Sequence, residues 1–93
     1  MIVGTLEFWI LVREAQSLKD KRRVVKSLKD RILYRFPVSI AEIGSLDHRQ
    51  QGHLGAAIVS NDAQHAAGVL SKVVDFVRNS VTAELLDYRI EIL

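Results

Sequence analysis

The sequence predicts an α+β fold of the ferredoxin-like kind, β-α-β-β-α-β, with a four-stranded antiparallel sheet of order 4-1-3-2 and two helices on one face. Three observations lead there. Two segments carry apolar residues at helical spacing and four short segments carry them at strand spacing. Each helical segment lies between two strand segments, so each makes a crossover, and right-handed crossovers bring both helices to the same side. Only a polar turn containing Asp47 and Gly52 separates the two middle strand segments, as expected of a hairpin. The 93 residues, 48% apolar and 26% charged, hold one such domain over 1–93 and leave no room for a second.

The elements follow in chain order. Over residues 2–12 the even positions Ile2, Gly4, Leu6, Phe8, Ile10 and Val12 are set against Val3, Thr5, Glu7, Trp9 and Leu11, the alternation of a strand. Glu7 and the lack of a basic leader argue against reading this stretch as a signal peptide. Ser17, followed three positions later by Asp20, resembles a capping box; Leu18, Val25, Leu28, Ile32 and Phe36 then recur at helical spacing until Pro37 closes the first helix. Residues 38–45 and 53–60 read as the second and third strands around a turn at 46–52. Asn61 or Asp62 caps a second helix whose apolar face is Ala63, Ala66, Ala67, Leu70, Val73, Val74 and Val77. The last strand, 84–93, is expected to have a dry face of Leu86, Tyr88, Ile90 and Ile92 and a wet face of Asp87, Arg89 and Glu91.

A two-layer fold leaves one sheet face uncovered. If the even positions of the first strand face the helices, Trp9 and Leu11 stand on the open face, joined by Ile43 or Ile58, and an apolar patch there marks an interface. Phe76, about 120° off the apolar centre of the second helix, is a further candidate contact, with packing against the adjacent helix as the alternative. A chain this small buries only about two thirds of its unfolded surface, so a homo-oligomer, most simply a dimer, is expected.

Charge is the feature that points to a partner. The stretch from Lys19 to Arg35 holds eight of the 13 basic residues with only Asp20 and Asp30 against them, +6 in all; the rest carries five basic and nine acidic side chains, −4, which together give the net +2. With Arg22 at zero on the helical wheel, Lys29, Lys26, Lys19 and Arg23 fall between about −20° and 100°, whereas the apolar centre lies near −80°. Lys21 comes near the core boundary, and Arg31 and Arg35 lie on the opposite flank. Five residues, Lys19, Arg22, Arg23, Lys26 and Lys29, therefore form one surface suited to a phosphate backbone. The bland alternative is a solvated face whose long stems cover a small core.

The segments Ser17-Leu-Lys-Asp-Lys-Arg-Arg-Val-Val-Lys-Ser-Leu-Lys-Asp-Arg, Phe36-Pro-Val-Ser-Ile-Ala-Glu42 and Leu54-Gly-Ala-Ala-Ile-Val-Ser-Asn-Asp62 resemble the YlxP-like family of small bacterial proteins of uncharacterised function. The resemblance spans nearly the whole chain and implies a ferredoxin-like fold. It carries over no catalytic residue. Genes of the family often stand beside those for translation initiation and ribosome maturation factors, which implies an RNA or ribosome setting. Pro37 stands where a polar residue is expected, a position compatible with a strand's start.

Enzyme chemistry finds no support in the residues. There is no cysteine, hence no thiol nucleophile, disulfide or iron–sulfur cluster. His48, His53 and His65 match no metal-ligand spacing, and neither a dinucleotide fingerprint nor a P-loop occurs. After the first strand the chain reads Arg13-Glu-Ala-Gln-Ser17, without the glycines of an acylphosphatase-like anion cradle. No cofactor, metal or small-molecule substrate is expected, and no apolar run of about 18 residues offers a membrane span; the lack of cysteine is compatible with a reducing cytoplasm, the setting expected here. Recognition of single-stranded RNA through the sheet requires aromatics on both central strands, and the third strand has none. Two readings stand: a non-enzymatic RNA- or ribosome-associated accessory protein acting through the first helix, and a small regulatory or scaffolding module that binds a protein or effector at its oligomer interface.

Overall fold

The computed structural model describes all 93 residues as six elements: β1 (Ile2–Leu11), α1 (Leu18–Arg35), β2 (Ser39–Gly44), β3 (Gln51–Ser60), α2 (Ala63–Arg78) and β4 (Glu84–Ile92). The sheet order is β2-β3-β1-β4 and every neighbouring pair is antiparallel, the topology expected from the sequence.

Local chemistry sets the ends of the helices. At Ser17 the extended backbone, φ −151° and ψ 164°, lets Oγ accept from the Asp20 N–H at 3.1 Å. Asp20 Oδ2 reciprocates one residue earlier than a standard capping box, accepting from the Gln16 N–H at 3.1 Å. Ser17→Ala is expected to cost about 1 kcal/mol in denaturant unfolding, the usual value of such a cap. The far end of α1 stops at Phe36, whose φ −128° and ψ 143° are the extended geometry that Pro37 imposes on the residue before it. Asp62 caps α2 by accepting from the Gln64 N–H at 2.9 Å, and Ser60 Oγ in turn accepts from the Asp62 N–H.

The core lies between the helices and the even positions of β1. Leu6, Phe8, Ile10 and Val12 meet Val25, Leu28 and Ile32 of α1, and Leu70, Val73, Val74 and Val77 of α2, within one cluster of 17 buried residues. Gly4 lies close beneath α2: a Cβ there would lie 3.0 Å from Leu70 Cδ1 and 3.1 Å from Ile58 Cγ2, a tight fit that these side chains would have to yield to.

Two expectations about strand faces need correction. Ile58 is not on the open face; it pairs with Gly4 and is buried beneath the helices together with Leu54 and Ala56. In β4, Leu86, Tyr88 and Ile92 are 46%, 43% and 37% exposed rather than dry. β4 is the sheet edge, and α2, packed across β1, β3 and β4, leaves its outer margin bare. A bulge opposite Trp9 and Ile10 places Leu85 rather than Leu86 across from Ile10, so Leu85 and Ile90 are the β4 residues that pack on the core.

Candidate nucleic-acid interface

α1 presents its basic residues according to the angles of the helix. Lys19, Arg22, Arg23 and Lys26 are exposed and Lys29 is half-buried, while Val25, Leu28 and Ile32 turn inward. Lys26 Nζ reaches Asp30 Oδ2 at 2.7 Å, an exposed i,i+4 pair of little energetic weight. Lys19, Arg22, Arg23 and Lys29 make no ion pair with any carboxylate. Four cations on one side of one helix are thus without a carboxylate partner.

The opposite flank of α1 is occupied within the fold. Arg31 and Arg35 lie over the Phe76 ring, at 5.8 and 5.0 Å from its centroid, and Phe36 meets the same ring edge-on at 5.9 Å. Phe76 is accordingly half-buried between α2 and the end of α1.

Lys21 differs from its neighbours. It is fully buried, and its ammonium donates to Glu42 Oε2 at 2.8 Å, to the Ser45 carbonyl at 3.0 Å and to the Gln51 carbonyl at 3.3 Å. Three protons find three acceptors, so α1 is pinned to the β2–β3 hairpin, where Ser45 adopts the left-handed φ of 55°. At about −100° on the wheel Lys21 lies inside the apolar sector and not at its boundary. Glu42, at an inward position of β2 next to Ile40, supplies the compensating charge.

Tyr34 escaped the sequence reasoning. It stands 92% exposed on α1, near the Arg23 side of the stripe, with Leu33 half-exposed in line with Arg22, Lys26 and Lys29. The same angular count that located the cations places both of these side chains outward.

The open sheet face is chemically different. Trp9 stacks on His53 with ring centroids 4.6 Å apart and planes 13° from parallel, a pair set by the Trp9–His53 register of β1 and β3. Glu7 and Asp87 flank it, and further along the same face Arg89 bonds to Glu7 at 3.0 Å and to Glu91 at 3.3 Å. Small residues, Gly55, Ala57, Ala41 and Thr5, leave a shallow trough of about 470 Å³ beside them. Leu11, half-buried, lines a second cleft of about 690 Å³ at the end of the molecule with Arg13, Arg23, Val24, Val81 and Glu84, where Arg13 and Glu84 pair at 2.9 Å.

The histidines are scattered. His48 Nδ1 accepts from the Gln50 and Gln51 N–H groups in the hairpin turn, and His65 is exposed on α2. No three His, Asp or Glu side chains converge in the way that would hold a metal ion. No helix is long and apolar enough to cross a membrane.

Residues 3–90 match the sequence profile of the family described as "Protein of unknown function (DUF503)". The chain belongs to this family. It is 36% identical over 76 residues to the "Uncharacterized protein YlxP" of Bacillus subtilis (strain 168), an alignment that covers 82% of this chain and 83% of that protein. This agrees with the YlxP-like resemblance of the three sequence segments. Neither description assigns a role to this DUF503 protein.

Proposed function

We propose that the protein is a non-enzymatic accessory protein that binds RNA, in the setting of the ribosome and the cytoplasm, through the exposed face of α1. The observation that carries this reading is the set of unpaired cations Lys19, Arg22, Arg23 and Lys29, joined by Lys26, on a body that is otherwise net negative. Maintaining like charges on one helix face weakens the helix slightly, and a polyanion turns that cost into counterion release. Binding follows the phosphates and not the bases. The open sheet supports the same assignment from the other side: its one tryptophan is already stacked on His53, and Glu7, Asp87 and Glu91 would repel a phosphate backbone.

The second reading, a regulatory or scaffolding module, is favoured by the 690 Å³ cleft beside Leu11 and Arg23, which is large enough for a small effector. Sedimentation of native lysate at low and high salt separates the two. Salt-sensitive co-migration with ribosomal subunits is the result expected of the RNA reading. Salt-indifferent association with a single protein would favour the module.

A further inference from the structure

β4 has one neighbour, β1, and its other side is a free edge. The direction of its backbone groups follows from the ladder: Leu93 N–H donates to Val3 C=O at 2.7 Å and Val3 N–H to Leu93 C=O at 3.3 Å, so the polar groups of Leu93 face inward. By the alternation of an antiparallel pair, those of Glu91, Arg89 and Asp87 also face β1, and those of Tyr88, Ile90 and Ile92 point out of the sheet. The Tyr88 N–H behaves accordingly: its partner is its own neighbour's side chain, Asp87 Oδ1, at 2.8 Å. The opposite edge, β2, is six residues long with a register shift in its second half, the form of edge that resists pairing.

We infer that β4 is a dimerisation edge and that its occupant is the β4 strand of a second copy of this chain, paired antiparallel about a two-fold axis at Ile90. Charge complementarity is compatible with a second copy as occupant, and the bulge decides the register. With Ile90 opposite Ile90, Arg89 lies opposite Glu91 of the partner, and Glu91 opposite its Arg89, giving two attractive pairs on the open face. On the helix-bearing face Tyr88 meets Ile92 of the partner and Ile92 meets its Tyr88, which covers two side chains left 43% and 37% exposed in the single chain. Outward backbone groups meet outward backbone groups, and the paired stretch lies wholly beyond the bulge at Leu86. A register centred on Tyr88 would also set Arg89 opposite Asp87 of the partner, but it carries the bulge into the pairing and sets Glu91 against Leu85.

The product is a continuous eight-stranded sheet. A two-fold axis normal to that sheet keeps all four helices on one side, with the two α1 helices outermost. Two basic stripes on one face give a bivalent surface for a polyanion; this consequence, unlike the dimer itself, rests on the RNA reading above.

Light scattering coupled to gel filtration tests the edge. The unmodified protein is expected at twice the 10.5 kDa of the chain at tens of micromolar. Glu91→Arg and Arg89→Glu each place like charges opposite one another and are expected to run as monomers, and an equimolar mixture of the two is expected to return to the dimer mass, because arginine then meets glutamate at both pairs. Tyr88→Pro removes an N–H that β1 does not use and is expected to give a folded monomer by circular dichroism, even where a charge variant is less stable. Hydrogen exchange needs no variant: the amides of Tyr88, Ile90 and Ile92 become protected as concentration rises. A monomeric parent would overturn the proposal, as would a dimer whose mass neither the charge variants nor Tyr88→Pro alters, since that assembly would use another surface such as the Trp9 face. Loss of RNA binding on reversal of the α1 cations leaves the dimer mass unchanged, so the two readings stand or fall separately.

Discussion

Replacing Lys21 by methionine is expected to lower the free energy of unfolding by about 3 to 5 kcal/mol, the range for removing one member of a buried ion pair. The aliphatic stem is conserved in length, so the loss comes from the ammonium. Glu42 is left mostly buried without its counter-charge, and the Ser45 and Gln51 carbonyls each lose a donor. The double variant Lys21→Met, Glu42→Leu is expected to recover part of that loss, because no charge then remains to be desolvated. Recovery stays incomplete while the two carbonyls lack partners. Urea unfolding of the three proteins checks this, and a loss below about 1 kcal/mol for Lys21→Met would mean that the pair behaves as an exposed one.

Reversing Arg22, Arg23 and Lys26 to glutamate is expected to abolish RNA binding while leaving the fold intact. The three substitutions change the face by six charges, which turns attraction for phosphate into repulsion. None of the three side chains is buried, and the only bond broken is the exposed Lys26–Asp30 pair. The helix signal in circular dichroism should therefore persist, with stability altered by no more than about 1 kcal/mol through Glu–Asp repulsion along the helix. Lys21→Met provides the opposite control: it destabilises the protein but leaves the stripe in place. Retention of RNA by the triple variant would assign the binding to some other surface.

The fold was legible because each element declares its period. β1 alternates from Ile2 to Val12, α1 starts at a serine cap and ends at the residue before a proline, and α2 keeps one apolar face, all of them local properties. What escaped depended on other parts of the chain. The edge of β4 is wetter than its alternation suggests, since a bulge at Leu86 and the reach of α2 decide which side chains are covered, and neither is written in β4 itself. The Trp9–His53 stack depends on the register between two strands far apart in sequence. Lys21 was a matter of weighting: the wheel put it among apolar residues, and the inward position of Glu42 was available from the alternation of β2, but a buried lysine runs against composition unless its partner is sought. For the basic stripe, the angles of Arg22, Arg23, Lys26, Lys19 and Lys29 were readable. Which of them lacks a carboxylate partner was not, because that is a fact of three-dimensional contact.

The α1 face is expected to bind a phosphate backbone. Fluorescence anisotropy of a labelled, mixed-sequence single-stranded RNA titrated with the protein across a range of salt concentrations tests it most directly. Five cations neutralising five phosphates give a slope of log K against log salt of about −3.5 for single strands, and about −4.5 for a duplex, with little dependence on base sequence. That slope is the predicted result. Absence of binding even at about 50 mM salt, where screening is weak, would contradict the account and reduce the stripe to a solvated helix face.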